Sequence, residues 1–255
     1  MKNILTFAGS DPTSGAGVQM DLRVFSRLSV RGFSVINTVT AQNTKEVRSV
    51  FPLPVKIIRE QLKALFSEFT FDAAKTGMIY SADAVREFSR FVKERAVKHL
   101  VVDPVMVSST GRPLMGRETI EIFKKKLLPL SEVITPNLKE AERLAEMEIS
   151  GRDDLMRAAR KIHQLGPENV VITGGDLKGE WVWDLLFDGA DFHWFRARKI
   201  KGEFHGTGCC FSAALTVYLS KGYRIKDAVR RARDFVRRAI KGAYSITDGL
   251  RLLGI

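Results

Sequence analysis

Short apolar runs that alternate with amphipathic segments are the feature that most constrains what this chain can fold into. The runs NILTFAG (3–9), HLVVDPVMV (99–107) and NVVITGG (169–175) lack strict alternation, which is typical of strands buried on both faces of a sheet. Apolar residues at helical spacing follow such runs, as in AGVQMDLRVFSRLSV (16–30). At least five strand–helix units predict an α/β fold, with a parallel sheet flanked by helices on both faces.

The 255 residues contain no internal repeat, low-complexity tract or Gly/Ser-rich linker, so we expect a single domain over residues 1–255. The segment EWVWDLLFDGADFHWFRAR (180–198) places two β-like runs around Asp188-Gly189 and predicts a hairpin. The apolar run at the start of the chain is too short for a signal peptide, and no run of eighteen apolar residues follows. The two cysteines are adjacent and poorly placed to cross-link loops, so we expect a reduced, cytoplasmic protein without membrane contact.

The formal net charge is +12, and residues 221–255 carry ten Lys and Arg against three Asp. A basic nucleic-acid-binding protein is one interpretation of such a balance. The segment also has a clean apolar stripe at helical spacing, running from Ile225 to Ala243, with most arginines on the other face. Because no aromatic–basic interleaving accompanies it, we favour a solvated outer helix and expect no nucleic-acid partner.

Small, polar and glycine-rich stretches follow the predicted strands. In open parallel sheets, ligands bind beyond the carboxyl ends of the strands, where these stretches would lie together. Their clustering predicts an enzyme-like site built from residues 9–17, 40–44, 76–78, 103–107, 135–140 and 173–176.

The turn Gly206-Thr207-Gly208 leads into an apolar helix that begins with Cys209 and Cys210. Unpaired N–H groups and the positive dipole end of such a helix stabilise a phosphoryl group and lower the pKa of a thiol in the first turn. Cys209 is therefore a base, a nucleophile or a packed small residue, and Cys210 is expected in the core. A thiol redox enzyme is a further alternative, although no Cys-x-x-Cys is present.

Two other loops have both a structural and a functional interpretation. The stretch GSDPTSGAG (9–17) is either a tight turn or a backbone cradle, and it matches neither a P-loop nor a GxGxxG motif. Asn137 and Glu140, three residues apart, either begin a solvated helix or orient water around Mg²⁺. The four histidines show no zinc-binding spacing.

The chain resembles the hydroxymethylpyrimidine/phosphomethylpyrimidine kinases of thiamine biosynthesis, within the ribokinase-like superfamily. The resemblance implies a doubly wound, mostly parallel central sheet flanked by helices on both faces, and phosphorylation of a hydroxymethylpyrimidine alcohol, then of its monophosphate, by ATP. It also implies Mg²⁺ and often a dimer. The motifs that carry it run nearly end to end: AGSDPTSGAGVQMDL (8–22), TAQNT (40–44), DAAKTGM (72–78), VVDPVMVSSTG (101–111), VITPNLKEAE (133–142), TGGD (173–176), DLLFDG (184–189) and HGTGC (205–209).

The resemblance also implies roles for individual residues. Cys209 matches the family's catalytic base, beside a phosphoryl cradle formed by the N–H groups of Gly206, Thr207 and Gly208. Glu140 and Asp103 would hold Mg²⁺ through water, and Asn137, Thr173 and Gly175 would contact ATP. The pyrimidine would bind at the matching pocket positions Gly9, Ala16, Asp21, Gln42, Met78 and Val107.

Three positions depart from the family's usual pattern. Thr173 stands where a Lys near the nucleotide phosphates is usual, and we expect Lys178 or Lys201 to compensate. Cys210 stands where Thr is frequent, and Glu203-Phe204 replaces a common Asn-Thr pair. A pyridoxal/pyridoxine kinase on the same scaffold is the main alternative, because both substrates are flat rings with hydroxymethyl groups.

Overall fold

The structure is a computed structural model, and it describes residues 1–43, 45–108, 111–175, 179–246 and 250–255. Lys178, one of the two lysines expected to compensate for Thr173, lies outside these residues, as do Thr44 and Asp176 of the predicted loops. None of the helices in these ranges is both long enough and apolar enough to cross a membrane.

Strands and helices alternate along most of the chain. The helices are α1 (Gly17–Arg27), α2 (Val55–Glu68), α3 (Ala82–Glu94), α4 (Arg117–Ile122), α5 (Leu138–Ala145), α6 (Arg152–His163), α7 (Thr207–Ser220) and α8 (Ile225–Lys241). The strands are β1 (Asn3–Ser10), β2 (Arg31–Gln42), β3 (Val47–Pro52), β4 (Ala73–Thr76), β5 (His99–Val102), β6 (Val133–Ile134), β7 (Asn169–Ile172), β8 (Trp181–Phe187), β9 (Phe192–Arg198), β10 (Glu203–His205), β11 (Tyr244–Ser245) and β12 (Leu250–Leu252).

Within the described part of the chain, one sheet of nine strands organises the fold, in the order β3-β2-β1-β4-β5-β6-β7-β8-β9. The six strands from β2 to β7 in this order pair in parallel, whereas β3, β8 and β9 pair antiparallel at the two edges. The predicted hairpin at 180–198 is confirmed as β8–β9. The strand order changes direction at β1, between β2 and β4, which opens a crevice at the carboxyl ends of these strands.

Helices cover both faces of the sheet, so the predicted fold class is confirmed. Helices α2, α3, α5 and α6 share one apolar cluster with side chains of β1, including Leu5 and Phe7. Helices α1, α7 and α8 share a second cluster on the other face, which includes Ile4. Successive residues of β1 thus enter opposite clusters, which is why its sequence is apolar without alternation.

The last two helices have different surroundings, and their sequences reflect this. Helix α7 is buried from Cys210 to Ser220, as expected of a mostly apolar sequence without charged residues. Helix α8 buries the stripe Ala228, Val229, Ala232, Phe235 and Ala239 and turns most of its arginines outward, so the predicted outer helix is confirmed.

Two parts of the fold differ from the sequence-based expectation. The sequence RETIEIFKKKLLP (117–129) has the composition of one continuous helix, but it forms α4, a π-helical turn (Phe123–Leu127) and a 3-10 turn (Leu128–Leu130) that contains Pro129. The edge strand β3 and the small sheet β10-β12-β11 were not expected. In that sheet, the C-terminal strand β12 pairs in parallel with β10, directly before the Gly206 turn.

Candidate active site

A cavity of about 640 Å³ lies at the carboxyl ends of the strands, within the size range of small-molecule sites. The structure brings all but one of the predicted site residues to this cavity, although they come from loops that are far apart in sequence. Those that line it are Gly9, Ala16, Gln42, Met78, Asp103, Val107, Asn137, Glu140, Thr173, Gly175, Gly206, Thr207, Gly208 and Cys209.

Asp21 is the exception, and the expectation that it contacts the substrate directly is wrong. Its side chain is fully buried beneath the cavity and does not line it. Thr6 Oγ1 donates a hydrogen bond to Asp21 Oδ2 at 2.6 Å, and Lys75 Nζ donates to both carboxylate oxygens at 2.8 and 3.0 Å. Asp21 faces inward because α1 packs on the sheet there, and it neutralises a lysine of the buried strand β4.

Lys75 connects this buried pair to the cavity. Its side chain is fully buried, and its Nζ also lies 3.8 Å from Asp103 Oδ2. Burial disfavours the ammonium, but the carboxylates of Asp21 and Asp103 outweigh burial and raise the pKa of Lys75 above its ordinary value. Lys75 is therefore a permanent cation under the floor of the cavity, a role that the sequence analysis missed.

Asp103 and Cys209 form the floor of the cavity above Lys75. Burial raises the pKa of the Asp103 carboxyl, against the opposing effect of Lys75 and of the hydrogen bond from Ser212 Oγ at 2.9 Å. Cys209 and Asp103 lie close enough that each affects the pKa of the other. Burial raises the pKa of the Cys209 thiol to about 12, although Lys75 acts in the opposite direction. The expectation that the helix N-terminus gives Cys209 a lowered pKa is therefore wrong, because desolvation is the larger effect. Cys210 is buried in the core, as expected.

The turn before α7 is shaped by the close approach of another loop. Gly206 has φ +81°, and a Cβ at this position would lie 1.8 Å from the carbonyl oxygen of Gly15. Only glycine accepts both this left-handed conformation and this contact. The first N–H groups of α7, those of Thr207, Gly208 and Cys209, have no carbonyl partner within the helix and lie at the cavity wall.

Asp11 holds the loop 9–17 in shape and ties it to the α7 turn. Its carboxylate accepts hydrogen bonds from Thr13 N at 2.9 Å, Thr13 Oγ1 at 2.8 Å and Ala16 N at 2.9 Å. His205 Nε2 lies 2.9 Å from Asp11 Oδ2. Burial raises the pKa of Asp11, but the hydrogen bonds from His205 and Thr13 outweigh it and lower the pKa. Both residues lie within the quoted motifs, but the sequence offered no sign that they pair across 194 positions.

Asn137 and Glu140 form a capping box at the start of α5. Asn137 Oδ1 accepts from Glu140 N at 3.0 Å, and Glu140 Oε2 accepts from Asn137 N at 2.9 Å. Glu140 Oε1 also accepts from Met106 N at 3.3 Å, which joins α5 to the loop of Asp103. Asn137 and Glu140 thus begin the helix as one interpretation expected, but Glu140 is buried rather than solvated, and both side chains line the cavity.

The donor set suits a weakly held Mg²⁺. Asp103 and Glu140 offer carboxylate oxygens, the ligands that Mg²⁺ prefers, and Mg²⁺ retains several waters in such sites. No group of three or more His, Cys, Asp or Glu side chains that could hold a metal ion occurs among the residues that the structure describes. These two carboxylates therefore fit a metal bound through water and nucleotide oxygens.

The wall after β7 is positioned by an ion pair that the sequence analysis missed. Thr173 pairs with Asn137 in a parallel bridge, and Thr173 N donates to Pro136 O at 2.9 Å. The buried Asp184 of β8 accepts from Gly174 N at 2.8 Å and from Arg233 Nε at 2.5 Å. The sequence signal for Asp184 was that it is a single acidic residue on the inward side of an apolar strand.

Lys201 does not replace the missing charge at Thr173. Its side chain is exposed, and it is not among the residues that line the cavity. Lys199, two residues earlier in the chain, does line it.

The two ends of the cavity differ in character. At one end, Gly9 lies so close to Met78 that a Cβ would be 2.5 Å from the Met78 methyl, and Gln42 and Val107 also line the cavity. The other end is formed by β8, β9, the following loop and α8, and it is apolar with cations at its edge. Its lining includes Val182, Ala197, Ile200, Val236, Ile240, Lys199 and Arg237.

Known proteins match this chain over nearly its whole length. The family model described as phosphomethylpyrimidine kinase matches residues 11–253. The hydroxymethylpyrimidine/phosphomethylpyrimidine kinase of Bacillus subtilis is 42% identical over 247 residues, covering 96% of this chain and 91% of that protein. The thiamine biosynthesis bifunctional protein of Geobacter sulfurreducens is 40% identical over 97% of this chain, which spans about half (51%) of that longer protein.

A solved structure shows the same fold with a nucleotide bound. The ADP complex of Bacillus subtilis pyridoxal kinase superimposes with a TM-score of 0.91 at 37% identity, covering 99% of this chain and 96% of that one.

Proposed function

Because this chain belongs to the phosphomethylpyrimidine kinase family, we propose that it phosphorylates 4-amino-5-hydroxymethyl-2-methylpyrimidine, its monophosphate or both, with ATP as the donor, in thiamine biosynthesis. The observation that carries the proposal is that Gly9 and Met78, the N-terminus of α7 and the apolar end between β8 and α8 all line one cavity. In-line phosphoryl transfer requires mainly such positioning and charge stabilisation.

The end of the cavity at Gly9 and Met78 suits a flat aminopyrimidine. Met78 and Val107 offer apolar contacts for the two faces of the ring, and the Gln42 amide offers a donor and an acceptor for its polar edge. Gly9 and Ala16 leave room because they are small. The apolar end between β8 and α8 suits the adenine of ATP.

The residues on the cavity floor suit proton removal from the substrate hydroxyl. In the proposed step, the hydroxymethyl oxygen bonds to the γ-phosphorus of ATP and the bond to the β–γ bridging oxygen breaks, releasing ADP. The hydroxyl proton passes to Cys209 Sγ while the thiol proton moves to the Asp103 carboxylate. A thiol with a pKa of about 12 stays protonated at neutral pH, so this relay avoids a preformed thiolate.

The N–H groups of Gly206, Thr207, Gly208 and Cys209 would stabilise the charge on the transferring phosphoryl group. Asn137, Thr173 and Gly175 would contact the nucleotide, and Mg²⁺ near Asp103 and Glu140 would neutralise phosphate charge. We also propose a single-domain, cytoplasmic enzyme that dimerises and binds no nucleic acid; light scattering of the purified protein tests the dimer.

Pyridoxal or pyridoxine is the competing substrate, because the superimposed Bacillus subtilis enzyme is a pyridoxal kinase. Steady-state kinetics with ATP-Mg and each alcohol separate the two. We expect kcat/KM for the hydroxymethylpyrimidine to exceed that for pyridoxal. A tenfold preference for pyridoxal would overturn the proposed substrate, and no turnover of either would overturn the kinase.

A further inference from the structure

Two cations of α5, Lys139 and Arg143, line the cavity on the side of Asn137 and Thr173. They lie four residues apart and therefore on one face of the helix. Both side chains are exposed, and within the described ranges neither forms a hydrogen bond or an ion pair. Two basic side chains without protein partners thus face the cavity where it is formed by α5.

This side of the cavity needs positive charge if a polyphosphate is to bind there. Thr173 carries none, and its hydroxyl lies 3.5 Å from the Pro136 carbonyl. The titratable side chains of the adjoining wall are the carboxylates of Glu140 and Asp103. The bridge between Asn137 and Thr173 places Lys139 only two positions along the chain from that wall.

The other cations that line the cavity are engaged elsewhere: Lys199 lies at the apolar end, and the following three contact protein groups. Arg233 is paired with Asp184, and His205 lies against Asp11. Arg237 Nη1 donates to the carbonyl of Arg198 at 2.9 Å, at the apolar end. Lys139 and Arg143 are therefore the cations best placed to meet phosphates beside Asn137 and Thr173.

We propose that Lys139 and Arg143 bind the polyphosphate tail of the nucleotide and supply the charge that Thr173 lacks. The inference rests on the proposed function only in taking a nucleotide as the ligand of this cavity. Loss of a phosphate contact lowers the affinity for each ligand in proportion to the number of phosphates that the ligand carries. Damage to the fold instead lowers the affinity for all of the ligands alike.

Isothermal titration of K139Q/R143Q with adenosine, AMP, ADP and the non-hydrolysable analogue AMP-PCP tests this directly. We expect the Kd of adenosine to change by less than twofold and those of ADP and AMP-PCP to rise at least tenfold, with KM for the pyrimidine unchanged. The matched control is K125Q/K126Q, which removes two exposed cations that do not line the cavity and should leave every Kd within twofold.

A rescue variant completes the test. Thr173→Lys added to K139Q/R143Q returns one cation to the same wall and should recover at least part of the lost ADP affinity. The inference is overturned if K139Q/R143Q binds ADP and AMP-PCP like the wild type, or loses adenosine equally. If K139Q/R143Q loses affinity in proportion to the phosphates on the ligand, but the wild type phosphorylates no pyrimidine, the proposed function is refuted and this inference stands.

Discussion

Replacing Lys75 with Met should be among the most damaging single substitutions in this protein. Met has a similar length and fills the same volume, but it leaves the fully buried Asp21 carboxylate with only the Thr6 hydroxyl as a side-chain partner. Removing one member of a buried ion pair costs about 3–5 kcal/mol.

The ionisation of Asp21 gives an independent estimate of the same size. Without Lys75, the folded protein would avoid the buried charge by keeping Asp21 protonated. Holding a carboxyl with an ordinary pKa of 3.8 protonated at pH 7 costs about 4 kcal/mol, at about 1.4 kcal/mol per unit. The two estimates agree, so we expect a loss of about 4 kcal/mol.

Urea unfolding at pH 7, followed by tryptophan fluorescence, measures this loss. The double variant D21N/K75M removes both charges and should be more stable than K75M alone. Lys63→Met is the matched control, because Lys63 is exposed and its pair with Glu60 is worth little.

The pH dependence adds a second test of the same reasoning. In K75M the buried Asp21 is protonated in the folded protein and ionised in the unfolded chain, so the stability of K75M relative to the wild type should rise by about 1.4 kcal/mol for each unit that pH falls from 7 towards 4. A loss below about 1 kcal/mol for K75M at pH 7, or a double variant less stable than K75M, would refute the account of the buried pair.

Three further predictions concern the α7 turn and the start of α5. Burial raises the pKa of Cys209 to about 12 from an ordinary 9.0. At pH 8, its alkylation by iodoacetamide should therefore be up to about a thousandfold slower than that of a thiol in the urea-unfolded chain. Equal rates would contradict the burial argument. In Gly206→Ala, the new Cβ would lie 1.8 Å from the Gly15 carbonyl oxygen, on a residue in a left-handed conformation. The variant should lose at least about 1–2 kcal/mol of stability in urea unfolding, roughly the conformational cost alone, and have a lower kcat. A neutral variant would mean that the two loops are not in contact. Asn137→Ala removes the cap of α5 and should cost about 1 kcal/mol, also by urea unfolding, whereas an unchanged midpoint would show that the capping box contributes nothing.

The interior of the fold was predictable because each central strand is buried on both faces. Burial on both faces forces a short, continuously apolar run, and such a run is visible in a single sequence. The edge strand β3 has mixed burial and ends at Pro52, and β10, β11 and β12 are two or three residues long. Strands of this kind leave no periodicity to detect.

The sequence predicted most of the residues that line the candidate site, but it predicted their ion pairs and pKa shifts less well. The loops converge because parallel strands end at one edge, so fourteen of the fifteen predicted residues line one cavity. Asp21 was misplaced, and Lys75 missed, because their contact joins residues 54 positions apart. The predicted shift of the Cys209 pKa had the wrong direction. It rested on the position of Cys209 at the start of a helix, which the local sequence shows, whereas burial depends on the whole fold.

The central claim is that this cavity transfers a phosphoryl group to a hydroxymethylpyrimidine with Cys209 as the proton acceptor. Single-turnover transfer from [γ-³²P]ATP to the pyrimidine, by wild type and Cys209→Ala, tests it most directly. The account predicts labelled pyrimidine phosphate from the wild type, and a rate about 10²–10⁴-fold lower for the variant with unchanged ATP affinity. Transfer by Cys209→Ala at the wild-type rate, or no label on the pyrimidine with either protein, would contradict it.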